Sequence, residues 1–495
     1  MNADMVRLMS VQLYEFKNVQ YGEVKFPNYG CLNSKAEANY SDITGIYGQN
    51  GSGKTALIEA LDISRFVLSG QNVNWEYSGI ISDDRSTHIC LTFFIGINNG
   101  YKVIYDFYLK KNDEKKKIEV YKETIKYWTK GSAWKRERNL AFTNPYYDDD
   151  FVDITKVNKL SIESDTMSKY RNIAFLSSMQ TLALYCAGKN QAVFFNDKIL
   201  NALAEIEDEE AKELRIILNR LFKFAISEMQ VIKVSQLGAI IDNSLLPLNM
   251  YHKTDSSIIQ GCLPLFINGQ GEIPVDAYNL FAPTIEAINI AIKAVIPNLQ
   301  VKLEKVNEIV KEDGKKYIQL DVFSVRGKKR FLMKYESEGI KRIISILHYL
   351  VSVYNNPGVC LVVDELDSGI FEYLLGELLG FLKEEMKGQL IFTSHNLRIL
   401  EKLNSRNIYC STINPDNRYI AFTGIENNNN KRDYYIRSLS IGGQKEELYD
   451  DKELLAMGYA FRKAGKLKKE IPELRFSDEF EAKLQAEESE GVTEN

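Results

Sequence analysis

Apolar and polar residues alternate along VRLMSVQLYEFKNVQYGEVKF, residues 6–26, with β-branched and aromatic types at the apolar positions. That period of two predicts the two strands of a hairpin. The alternation returns over 88–128, interrupted at Asn98-Asn99-Gly100 and at Asn112-Asp113, and predicts an antiparallel meander. Ser41 to Tyr47 reads as a further short strand. From Thr55 to Leu68 the period changes to that of a helix, with Leu57, Ile58, Leu61 and Val67 apolar. Leu214, Leu218, Leu221 and Ala225 predict a second helix behind the acidic EIEDEE, and Pro283–Ile309 reads as another helical block. Ile343, Ile344, Leu347 and Leu350 form the apolar face of a helix opened by Ser337. Two short apolar runs, in GVCLVVDE (358–365) and GQLIFTSH (388–395), have the composition of parallel strands covered on both faces. The expectation is an α/β fold: an antiparallel lobe and a parallel core, divided by a mainly helical insertion.

Composition narrows the function classes. Lys and Arg number 62 against 67 Asp and Glu, a formal charge of −5, so no global attraction to nucleic acid or anionic membrane is expected. No run of about 18 apolar residues marks a membrane span, and MNADMVRLMS lacks the apolar centre of a signal peptide. The six cysteines are scattered without a CxxC pair, which disfavours a zinc site and fits a reducing cytoplasm.

The chemistry is concentrated at the ends of the predicted strands. Gly48-Gln49-Asn50-Gly51-Ser52-Gly53-Lys54-Thr55 matches the pattern GxxxxGK[ST] between a strand and a helix. Phosphate oxygens need several backbone N–H donors converging on one point, and glycine lets the chain turn that tightly. The helix N-terminus behind the loop favours an anion. In this pattern Lys54 reaches the outer phosphates of a nucleotide and Thr55 offers its hydroxyl to Mg²⁺. Asp364, at the end of an apolar strand, is the candidate Mg²⁺ carboxylate, and Glu365 the candidate general base toward water. His395 ends another apolar strand and is a candidate contact to the terminal phosphate. Ser337 is a good N-cap, and with Gly339 it offers a second anion-binding helix end. That second end has no obvious ligand within its own subunit; its simplest use is to close over a phosphate held by a facing copy.

Together these segments resemble the ABC-type ATPase heads of the SMC, RecF and OLD-like group. ESEGIKR looks like a variant of their signature motif, LVVDELDSG like their Walker B segment and IFTSHN like their histidine switch. The resemblance covers about 1–130 and 315–425. It implies a mixed sheet with an antiparallel lobe and a RecA-like parallel core, ATP and Mg²⁺ as ligands, and a head-to-head dimer closing around two ATP molecules. The middle and the tail do not share in the resemblance; with the helical blocks and the acidic end of the chain, the expected division is an N-terminal half-head (1–190), a mainly helical insertion (191–314), a C-terminal half-head (315–425) and a helical C-terminal region with an acidic tail (426–495). The family's glutamine at the metal is assigned to Gln180. The family's D-loop aspartate would fall near Phe371, where the chain reads DSGIFEYLL and Asp367 or Ser368 are substitutes.

DELDSGIFEYLLGELL further resembles stand-alone ATPases of bacterial anti-phage defence, in particular the ATPase subunit of PARIS-type systems. That resemblance implies a cytoplasmic homo-oligomer that holds a separate Toprim-type nuclease effector until a phage-encoded trigger protein arrives. No DxD pair follows His395, so nuclease chemistry is not expected within this chain. The alternative is an SMC- or RecF-like ATPase that clamps DNA. For that reading the candidate contact is KYWTKGSAWKRERN (126–139), where Trp128 and Trp134 stand among lysines and arginines, an arrangement that also suits a protein partner or a plain surface. A transport ATPase head, which would need a membrane partner, is a third class.

Overall fold

The computed structural model describes residues 5–28, 42–83, 86–96, 100–130, 138–143, 192–204, 209–234, 245–253, 258–267, 271–311, 314–424, 430–449 and 452–466. They belong to two compact units, Met1–Tyr449 and Asp450–Asn495. The first opens with β1 (Val6–Phe16) and β2 (Val19–Lys25), passes through β3 (Asp42–Tyr47) and α1 (Lys54–Leu68), and continues as β4 (His88–Ile95), β5 (Tyr101–Asn112), β6 (Lys117–Thr129) and β7 (Arg138–Thr143). All of these strands except β3 pair antiparallel in one sheet, in the order β2-β1-β4-β5-β6-β7. The expected hairpin and meander are therefore parts of a single lobe.

After α2 (Asp197–Ala204), α3 (Glu209–Lys223) and β8 (Met229–Ile232) come the hairpin strands β9 (Leu245–Lys253) and β10 (Ile258–Phe266). Then β11 (Gly271–Pro274), α4 (Val275–Val295), β12 (Leu299–Val310), β13 (Lys316–Arg326) and β14 (Lys329–Leu332) build a small antiparallel sheet around β13. The last stretch of this unit runs α5 (Glu338–Asn355), β15 (Cys360–Val363), α6 (Glu372–Glu385), β16 (Gln389–Thr393), α7 (Leu397–Lys402), β17 (Ile408–Ser411), β18 (Tyr419–Ala421) and α8 (Lys431–Ser440). The second unit contributes α9 (Lys452–Lys466).

The core sheet has the order β18-β17-β3-β16-β15-β8, parallel except for the β17–β18 pair. Its strands are mainly apolar and buried because both faces are covered. On β15, Cys360 and Val362 face one hydrophobic cluster, shared with α1 and the antiparallel lobe, while Leu361 and Val363 face a second, shared with α5, α6 and α7. The lobe is pinned to the core by buried polar contacts. Gln389 at the start of β16 donates to the Leu8 carbonyl at 2.8 Å and accepts from the Leu8 N–H at 3.3 Å. Arg7 pairs with Asp42 at 3.2 Å.

Two expectations are corrected. Helix was expected from Pro283 to Ile309, but α4 begins at Val275, carries Pro283 within it and ends at Val295, and 299–310 is the strand β12. The period of two at Leu299, Val301 and Leu303 is the signal that marks that strand. The segment 191–314, expected to be mainly helical, contains β8 to β12 as well as α2 to α4. Its strand β8 is the edge of the core sheet, and four residues of MQVI are too few for a periodic signature.

Candidate functional site

The phosphate loop lies where the pattern placed it, between β3 and α1. Gly48, Gly51 and Gly53 have φ of 154°, 79° and 91°, values that favour glycine over residues with a side chain. At Gly48 a Cβ would also stand 2.0 Å from Ser411 Oγ. Ser52 Oγ donates to the Gln49 carbonyl at 2.7 Å and meets Ser411 Oγ, so the end of β17 closes the back of the loop. Tyr419 donates from its hydroxyl to the Gly53 carbonyl at 2.6 Å. Lys54 is buried and donates to the carbonyls of Gly48 and Gln49 at 2.8 and 2.9 Å. Burial pushes its ammonium below the ordinary lysine range, against the pull of Asp364, Glu365 and Asp367. Thr55 stands in the first turn of α1, and Asn50 at the turn of the loop.

The sheet order puts β15 and β16 beside β3, so Asp364 and His395 follow strands of the same parallel set as the loop. Asp364 is 1% exposed. Its Oδ1 accepts from Thr393 Oγ1 at 2.6 Å, and the same Thr393 oxygen accepts from the Glu365 N–H at 2.8 Å. One hydroxyl thus fixes both acids. Glu365 has φ 47°, a left-handed conformation that costs a residue with a Cβ about 1–2 kcal/mol; such strain is held where the surroundings over-determine it. Asp367 Oδ2 accepts the His395 N–H at 3.1 Å. Burial and the Lys54 ammonium push the His395 imidazole below its ordinary value, outweighing the opposing pull of Asp367, Glu365 and Asp364. Among the described residues no group of three His, Cys, Asp or Glu side chains gathers to hold a metal unaided. Mg²⁺ at this site would draw on Thr55, Asp364 and phosphate oxygens, a donor set suited to that ion.

Ser337 caps α5 as expected, its Oγ accepting the Ile340 N–H at 3.4 Å. Gly339, in the first turn, has a steric role as well: a Cβ there would lie 2.5 Å from the Gly369 carbonyl oxygen. The turn after Asp364-Glu365 therefore abuts the start of α5 within one chain. Asp367, expected as a substitute contact across a dimer, is turned inward to the His395 backbone, while Phe371 is 72% exposed.

Gln180 and the acidic YYDDDFVD (146–153) lie outside the described residues, as do Trp134, Lys135 and Arg136 of the basic-aromatic segment. Trp128 of that segment has Nζ of Lys102, on β5, 4.9 Å from its ring centre. The strand that flanks Asp364 on its far side is β8, whose last carbonyl, Ile232 O, accepts the Asp364 N–H at 2.9 Å. The first glutamine after β8 is Gln236, also outside the described residues. Thr393, Ser411 and Asp367 complete the site but carry no motif of their own; the signal for Thr393 was its place two residues before His395 on an apolar strand.

Residues 10–248 match the family model of an AAA domain. The phosphate loop thus falls within the matched residues, whereas Ser337, Asp364 and His395 lie beyond the match. No curated protein matches the chain. Among solved structures, the SMC head domain from Thermotoga maritima is similar at 12% identity, covering 84% of this chain and 100% of that one, with a TM-score of 0.33. An Smc head domain with a coiled coil and joint from Pyrococcus yayanosii gives 11% identity, 85% and 98% coverage and a TM-score of 0.35. The recombination mediator protein RecF gives 12%, 84% and 98%, and 0.35. No described helix is long and apolar enough to cross a membrane.

Proposed function

We propose that this chain is an Mg²⁺-dependent ATP hydrolase that works as a pair of heads, each contributing to the other's site. The observation that carries the reading is the meeting of Lys54, Asp364, Glu365 and His395 at the ends of three neighbouring parallel strands, β3, β15 and β16. Brought together there, they supply a phosphate cradle, a cation for the terminal phosphates, a metal carboxylate and a base. Bound Mg²⁺ would neutralise phosphate charge and fix the nucleotide's outer oxygens. Lys54 leaves the loop carbonyls for phosphate oxygens, Asp364 stays locked by Thr393, Glu365 takes the proton of the attacking water, and His395 orients that water. Gln180 keeps the role of the family's glutamine at the metal in this reading. Ser337 and the first-turn N–H groups of α5 serve a nucleotide held by the second copy.

The finer reading is a defence switch: ATP fixes the geometry of a homo-oligomer that retains a nuclease effector until a phage protein releases it. The DELDSGIFEYLLGELL resemblance supports it. The test is ATP turnover and assembly in the full chain. Glu365→Gln is expected to bind ATP, hydrolyse it at least a hundredfold more slowly and accumulate as an ATP-dependent dimer or higher oligomer. Ser337→Arg is expected to bind ATP and remain monomeric. Normal turnover by Glu365→Gln would place the base elsewhere, and normal turnover by Ser337→Arg sinks the two-headed reading. Steeply salt-dependent DNA binding, without capture of a nuclease encoded alongside, would favour the DNA-clamping alternative.

A further inference from the structure

The signature-like helix α5 carries a cation that the mechanism above leaves unused. Arg342 is 4% exposed, and its Nε and Nη2 meet no hydrogen-bond partner among the described residues. An arginine buried in this way is costly unless its charge is answered. It stands three residues after Gly339, hence on the same face of α5, and Gly339 lies against the Gly369 carbonyl. That face looks toward the turn following Asp364, which is closed by Ser368 N–H to Glu365 O at 3.0 Å and Ile370 N–H to Asp367 O at 3.2 Å. On the turn, Asp367 has one oxygen on the His395 N–H and the other, Oδ1, buried without a partner among the described residues. Asp367 and Glu365 both act electrostatically on the guanidinium, which burial holds down at about 10. Two unanswered groups of opposite charge thus flank one turn, one on the signature-like helix and one tied to the histidine.

We propose that Arg342 is a positioning residue that engages Asp367 when the heads close on ATP and Mg²⁺, so that the position of α5 is passed through Asp367 to the backbone of His395. The guanidinium donates to Asp367 Oδ1, and the carboxylate, held at both oxygens, fixes the strand end that presents the imidazole. A helix end that contacts the partner's nucleotide is thereby linked to chemistry on its own nucleotide. This rests on the two-headed reading above and adds the route by which one site senses the other.

The experiment uses the full chain and the variants Arg342→Gln, Arg342→Lys, Asp367→Asn and the Arg342→Gln/Asp367→Asn double. Steady-state ATP hydrolysis is expected to show kcat lowered at least tenfold in Arg342→Gln with KM changed less than twofold, partial recovery in Arg342→Lys, and a double variant no worse than the poorer single. Amide hydrogen exchange over 393–396 is expected to slow on adding a non-hydrolysable ATP analogue with Mg²⁺ in the wild type and not in Arg342→Gln. Unchanged kcat, losses that multiply in the double variant, or equal slowing of exchange in both proteins would overturn the proposal. If Arg342→Gln does not fold, Arg342→Lys and Asp367→Asn decide by the same measures. A wild type that neither binds nor hydrolyses ATP defeats the two-headed reading itself, an outcome distinct from normal turnover with an indifferent Arg342.

Discussion

Thr393 shows how much one side chain can settle. Its hydroxyl donates to Asp364 and accepts from the Glu365 N–H, so a single rotamer holds together the two acids proposed as metal carboxylate and base. Thr393→Val keeps the shape and removes both bonds, leaving two buried groups unanswered. We expect a loss of about 1–3 kcal/mol in denaturant stability and at least a tenfold fall in ATP turnover, with Thr393→Ser retaining most of each. An equal loss in the serine variant would mean that the methyl group, not the hydroxyl, is what matters. Lys54→Ala removes the cation facing Asp364, Glu365 and Asp367 and should abolish ATP binding in equilibrium titration. Lys54, Asp364, Glu365 and His395 were legible in the sequence because each sits at a fixed place beside a glycine-rich turn or at an apolar strand end. Thr393 and Ser411 were not, since their role follows from strand adjacency and a lone polar residue carries no period; Asp367 was named only as a contact across a dimer, and its inward bond to the His395 N–H follows from the fold.

At the scale of elements, β3, α1, β15, β16 and α5 were readable because periodicity and the local cap agree in each. The strand β8 was too short to read, and β12 was masked by the helical character of α4 just before it. Sequence also could not show that α5 and the turn after Asp364 touch. Gly339→Ala tests that contact: the added methyl meets backbone at Gly369, so the turn or the helix must shift. A cost of about 1–3 kcal/mol is expected, with turnover falling more than ATP affinity; a melting curve superimposable on the wild type would refute the close approach. On β6, Glu123 is fully buried, accepting from Tyr105 Oη at 2.7 Å and from the Val193 N–H at 2.5 Å. Burial pushes its carboxyl from the ordinary 4.5 up to about 7, against those hydrogen bonds. The folded form therefore holds a proton that the unfolded chain releases between these values. Its contribution to stability is full below about pH 4.5 and is lost as pH rises through about 7, a difference of about 2–4 kcal/mol. Glu123→Gln, whose amide can donate to the Tyr105 hydroxyl, should flatten this part of the stability–pH curve. An unchanged slope would show that other groups set it.

For the first unit as a whole, the core sheet is assembled from distant parts of the chain. Its central strand β3 (Asp42–Tyr47) lies between β16 (Gln389–Thr393) and β17 (Ile408–Ser411), and the phosphate loop is backed by Ser411 and Tyr419. The AAA match stops at residue 248, before any of these partners. A fragment ending near residue 250 is therefore expected to aggregate and to bind no nucleotide. A soluble fragment with a cooperative melting transition would show that the antiparallel lobe can support β3 alone.

On the ribosome, that arrangement sets an order of events. The glycine turn is made early in translation, but the strands that hold it in shape emerge last, so the nascent chain carries an unfinished nucleotide pocket through most of its synthesis. A message cut short before the codon for Ser411 is expected to yield a product whose glycine turn lacks its backing from Ser411 and Tyr419.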